Sequence, residues 1–143
     1  MKNPAHLFVV SLLLLFVVSP VYAQSGIQFF EGSLAEAKAK AEAEGKLLFV
    51  ESYADWCGPC KLMAREVFSD PEVGAYFNEH FINVKLDMDD PANHPFAKAH
   101  RIRSIPDMMF LTSEEGVVNR KLGYVPKRTF LKMAEKAIRK SEG

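Results

Sequence analysis

The chain has 143 residues, 48% of them hydrophobic and 25% charged, a make-up that suits one ordinary globular domain and excludes a disordered or fibrous chain. Eighteen basic residues balance eighteen acidic ones, so no net field draws the protein to nucleic acid or to anionic lipid. Its two cysteines, Cys57 and Cys60, lie too close together to be a stapling framework.

The first residues read as an address. Lys2 is followed by an apolar run, Leu7 to Val18, broken only by Ser11, then by Ser19-Pro20 and the small-residue site Val21-Tyr22-Ala23. This is the pattern of a signal peptide cleaved after Ala23. As a helix the run spans about 18 Å, short of a hydrocarbon core of roughly 30 Å, which argues against a permanent anchor. One domain, residues 24–143, is expected after cleavage, in a compartment where disulfides persist.

Ile27 to Phe30 is apolar and short enough for a first strand. Ser33-Leu34-Ala35-Glu36 has capping-box spacing and opens an Ala, Lys and Glu-rich helix that stops at Gly45. Leu47 to Tyr53 reads as a central strand covered on both faces. A helix is expected from Cys57 to about Phe68, and a second one restarts at Asp70-Pro71 with a cap and a first-turn proline. Strand Phe81 to Met88, short helix Pro91 to His100 and strand Ile105 to Thr112 come next. A turn at residues 113–116, a returning strand Val117 to Leu122, and a closing helix Pro126 to Lys140 complete the order βαβαβαββα. Phe130, Ala134, Ala137 and Ile138 fall on one face of that last helix. The expected fold is α/β: a central mixed sheet flanked by helices, parallel where strands alternate with helices, with a C-terminal antiparallel hairpin and a closing helix. Active positions in such sheets lie beyond the carboxyl ends of the strands, where Cys57 stands.

A Cys-x-x-Cys opening a helix supplies what disulfide exchange needs. Unpaired N–H groups and the macrodipole favour a thiolate on the first sulfur, while the second lies one turn in and more buried. Cys57 is therefore the expected nucleophile, with a thiol pKa lowered from its free value, and Cys60 the resolving thiol. Gly58 permits close approach of a partner backbone, and Pro59 lacks an N–H where none is needed. A zinc site would want four ligands, and His80, His94 and His100 lack ligand spacing, so no metal is expected. Asp87, Asp89 and Asp90 lack the glycine and glutamate of a calcium loop and read as a solvated turn.

The segment Tyr53-Ala54-Asp55-Trp56-Cys57-Gly58-Pro59-Cys60-Lys61 resembles the active-site segment of thioredoxins, and Ser104-Ile105-Pro106 resembles their cis-proline loop. Phe68-Ser69-Asp70-Pro71-Glu72-Val73 narrows the resemblance to the C-terminal periplasmic domain of the thiol:disulfide interchange protein DsbD and its stand-alone relatives. The resemblance implies a cis Ile105–Pro106 peptide beside Cys57, with the Ile105 backbone pairing with an extended substrate. It places Glu51 as a buried acid under the cysteines and Lys85 as its companion. Buried, Glu51 would have a raised pKa and accept the proton of Cys60; the alternative is an ordinary ion pair. Trp56 is expected to cover the cysteines and join the docking surface. Gly123 matches the glycine that leaves room for a partner, or is a simple turn glycine. Two departures stand out: Asp107 follows the proline, facing either the groove or solvent, and Arg65 replaces a helix-kinking proline, which implies a straight helix.

The expected function is an exported protein-disulfide reductase or electron carrier in the periplasm, or secreted, needing no cofactor beyond the Cys57–Cys60 disulfide. Its expected partners are disulfide or dithiol proteins and an upstream thiol donor, a membrane-bound one among the candidates. It should be a monomer. An isomerase or oxidant direction stays open, because direction is a difference of potentials. The alternative from another class is a binding or chaperone-like module using the groove by Pro106 without redox turnover.

Overall fold

The computed structural model describes residues 25–143, so the expected leader and its cleavage after Ala23 lie outside the described residues. Helix α1 spans Leu34–Glu44. Both halves of its capping box form, with Glu36 N donating to Ser33 Oγ at 3.2 Å and Ser33 N to the Glu36 carboxylate at 2.8 Å. Gly45 ends it at φ 63°, where a Cβ is disfavoured. Strand β1, Leu47–Tyr53, is buried along six of its seven residues.

Helix α2, Gly58–Leu62, passes directly into a π-helical turn over Met63–Phe68. The single helix expected there is continuous, with its second half wound as a π-helix rather than an α-helix. Helix α3, Pro71–His80, is capped by Asp70, which accepts from Glu72 N at 2.9 Å and Val73 N at 3.2 Å. Strand β2 is Phe81–Asp87. A 3₁₀ turn at Pro91–Asn93 leads into helix α4, His94–Ala99. Strands β3, Asp107–Leu111, and β4, Val117–Leu122, and helix α5, Lys127–Ser141, follow.

Two expectations are corrected. Ile27 to Phe30 is not a strand, because its bonds diverge to different elements: Ile27 N donates to Phe68 O and Phe30 N to Asn83 O, both at 2.7 Å. Between them, side chains of Asn78 and Asn83 take the backbone of Gln28. The sheet, in order β2-β1-β3-β4, is mixed as expected, but strand-helix alternation implies a parallel β3, whereas only β1 and β2 run parallel. Helix α4 is roughly 9 Å long, against about 23 Å for a seven-residue strand, so it cannot carry the chain back along the sheet. Strand β3 therefore starts at the end where β2 finished.

Each sheet face carries its own core. Phe49, Phe110, Met63, Val67, Phe68, Phe77 and Phe130 fill the space between one face and α2, α3 and α5. Leu48, Val50, Met109 and Leu111 meet Ala37, Ala41 and Phe96 on the other. Because side chains alternate along a strand, Glu51 shares the face of Phe49 and thus of the cysteine-bearing helix, whereas Ser52 shares that of Val50.

Candidate active site

Cys57 caps α2, and the Cys60 N–H donates to its Sγ at 3.2 Å. Pro59 sits in the first turn, and a Cβ on Gly58 would meet nothing within 4 Å. The two cysteines are joined as a disulfide. Each is 4% exposed, so the expected contrast between an open first sulfur and a buried second one is absent in this form. Bonded together, each sulfur covers the other. What separates them is position, since only Cys57 has a helix-terminal N–H aimed at its sulfur.

Three segments meet at this end of the sheet. Asp107 pairs with Ser52, which sets Pro106 level with Tyr53, the last residue of β1 before the cysteine loop. The Ile105–Pro106 peptide is cis. Pro106 O accepts from Gly123 N at 2.8 Å; Gly123 has φ 79°, and a Cβ there would meet nothing, so conformation rather than crowding asks for glycine. Ile105 is half-buried and forms no backbone hydrogen bond among the described residues. Trp56 is 71% exposed, which excludes core packing, and its Nε1 donates to Asp89 Oδ2 at 2.9 Å. The aspartate turn thus does more than meet solvent: it holds the tryptophan.

Glu51 is fully buried, and neither carboxylate oxygen has a hydrogen-bond partner. Lys85, its neighbour in register on β2, brings Nζ to 3.6 Å, close enough for an ion pair but too long for a hydrogen bond. The Lys85 ammonium also lies 4.2 Å from the Tyr53 ring centroid. Burial pushes the Glu51 pKa up from 4.5 to about 7, and the charge of Lys85 restrains the rise.

Asp107 faces neither groove nor solvent, contrary to both alternatives read from the sequence. It is fully buried on the sheet face opposite Glu51, where Arg120 Nε reaches its two oxygens at 3.0 and 3.2 Å and Nη2 closes the fork. Arg120 Nη1 also donates to His100 O at 2.9 Å, tying β4 to the end of α4. Sequence reasoning missed Arg120; the only available signal was that a buried acid on one arm of a hairpin wants a cation on the other. Among the described residues no cluster of three His, Cys, Asp or Glu side chains could hold a metal ion.

Comparison with known proteins matches residues 30–113 to a family described as Thioredoxin-like. A solution structure of a candidate disulphide-isomerase from Bacteroides thetaiotaomicron superposes with a TM-score of 0.70 at 38% identity, covering 80% of this chain and 94% of that one. Thioredoxin-T of Drosophila melanogaster is 30% identical over 48% of this chain and 41% of its own length. The thiol:disulfide interchange protein DsbD 2 of Pseudomonas aeruginosa is 28% identical over 53% of this chain and 13% of its own. The matches therefore span less than half the length of these two curated relatives.

Proposed function

Because the chain belongs to the thioredoxin-like family, we propose that it is an exported protein thiol-disulfide oxidoreductase working as a reductase or electron carrier. The observation that carries this reading is the Cys57–Cys60 disulfide at a helix start, with the Cys60 N–H directed at Cys57 Sγ. In the dithiol form, the Cys57 thiolate attacks one sulfur of a partner disulfide, forming a mixed disulfide and releasing one partner thiolate. Cys60, deprotonated by Glu51, then attacks Cys57 Sγ, and the second partner thiolate leaves and takes up a proton. Two electrons pass to the partner, and the Cys57–Cys60 disulfide is restored. An upstream thiol donor reduces it again, and no other cofactor takes part.

Glu51 suits this role because a group with a pKa of about 7 both accepts and releases a proton near neutrality. Lys85 keeps it from staying protonated. The unengaged Ile105 backbone beside Pro106 offers strand-like pairing to an extended partner segment, while Trp56, Gly58, Pro59 and Gly123 leave the approach open. The leader pattern ending at Ala23 supports export to the periplasm or beyond, and likeness to a thiol:disulfide interchange protein supports protein partners. The protein acts as a monomer. Gly-Pro between the cysteines favours the reducing direction.

The test is a Cys60→Ser chain, which should lose turnover of a model disulfide and accumulate mixed disulfides through Cys57. Unchanged turnover would sink the redox reading in favour of a binding module. A reduction potential near roughly −120 mV, the oxidising end of such proteins, would overturn the reducing direction, and one near about −270 mV would support it.

A further inference from the structure

A groove of about 550 Å³ opens on the far side of Ile105–Pro106 from the cysteines, lined by Arg101, Arg103, Arg120, Lys121 and Leu122. It adjoins the proline directly, because Leu122 pairs with Asp107 and Gly123 N bonds Pro106 O. No carboxylate lines it. Asp107, the acid next to the proline, is buried and its charge is taken by the Arg120 fork. Arg101, Arg103 and Lys121 are exposed and form no ion pair among the described residues. Three uncommitted cations therefore share one groove on a chain whose net charge is zero.

The backbone adds a second observation. Arg101 has φ 52° at the end of α4, where Ile102 N donates to Ala97 O at 2.8 Å in a closing turn that ordinarily takes glycine or asparagine. Holding arginine there works against the local preference and aims a cation at this groove rather than leaving the corner bare. Leu122, half-exposed, supplies an apolar wall, and β4 is the edge of the sheet.

We propose that this groove selects acidic partner segments. Resting on the redox reading above, it defines the substrate class: an extended segment running past Ile105 with carboxylates two and four positions from its reactive cysteine. Side chains at that spacing lie on the same side of an extended chain as the cysteine, so all three face the protein, the cysteine toward Cys57 and the carboxylates toward the cations beyond Pro106. Complementary charge of this kind accelerates encounter and discriminates among partners, and salt weakens it.

The full chain in its dithiol form, given one equivalent of a peptide disulfide, reads the proposal in a single turnover. Three peptides differ only at those two positions, carrying Glu, Gln or Lys. The Glu peptide should be reduced about five- to tenfold faster than the Gln peptide at low ionic strength, and the Lys peptide slower than either, with the spread collapsing in high salt. In an Arg103→Gln, Lys121→Gln chain the Glu-to-Gln ratio should fall close to one. Equal rates for the three peptides, or a ratio that survives the double substitution, would overturn the proposal. Binding of the same peptides with cysteine replaced by serine, followed through Trp56 fluorescence, separates the two readings. Charge preference in binding without any turnover upholds the groove and sinks the redox assignment, whereas turnover without charge preference does the reverse.

Discussion

Glu51 and Asp107 are both fully buried carboxylates on adjacent central strands, and their cations decide what each can do. Lys85 stands 3.6 Å from Glu51 and leaves both oxygens without a hydrogen bond, so protonation competes with the ion pair. Below pH 4.5 both folded and unfolded chains hold the Glu51 proton. Between 4.5 and about 7 only the folded chain does, so stability falls as pH rises through that window, by about 3 kcal/mol in all. Glu51→Gln should therefore be more stable than wild type in urea at pH 8, with the gap closing toward pH 4.5, and should resolve mixed disulfides more slowly. Asp107, by contrast, is held by a fork. Arg120→Ala would leave its charge buried and unpaired and should lower unfolding free energy by about 3 kcal/mol, while a paired Asp107→Leu, Arg120→Met chain should recover most of that loss. The acid at 51 and the lysine at 85 were legible only through the resemblance to thioredoxins, and their meeting follows from the parallel register that sets Glu51 beside Lys85. Arg120 was not, because its approach to Asp107 depends on hairpin register, and a bulge at Phe110/Leu111 shifts that register by an amount the residue pattern does not display.

Elements with local signals were readable. Ser33, Glu36 and Gly45 specify α1 through their own side chains and backbone, and Asp70-Pro71 specifies the start of α3, without reference to anything distant. The direction of β3 was not readable, because it depends on how far a six-residue α4 travels, and the apolar run Ile27 to Phe30 misled because the polar side chains that engage it lie 50 and 55 residues away. That N-terminal segment also makes a demand on α3. A Cβ on Gly74 would strike the main chain of Gly26, which itself has φ 95° and lies against Phe68 O. Alanine gains about 1 kcal/mol of helix preference over glycine, but a clash with backbone cannot be relieved by changing a rotamer. Gly74→Ala should thus destabilise the protein by about 2 kcal/mol net in urea unfolding, with cysteine chemistry retained wherever it remains folded.

At the level of the whole molecule, the cysteine loop, the cis-proline turn, Gly123 and the cationic groove gather at one end of the sheet, while the two aromatic and aliphatic cores hold that end from behind. Surface changes there should alter partner use and leave folding alone. Trp56→Ala removes an exposed ring held by one hydrogen bond, so its unfolding free energy should stay within about 0.5 kcal/mol of wild type while KM for a protein substrate rises about tenfold. The sheet has two borders, and they differ. Near β2 the segment before α1 lies alongside and bonds Asn83, but β4 presents an open rim on which Val117 and Leu122 are half bare and Lys121 sits between them. A second copy meeting that rim about a twofold axis would set Lys121 near its own equivalent, together with the arginines of the adjoining loop. Like charges there discourage sticky self-association along this open edge, leaving the rim available to a stranger of opposite sign.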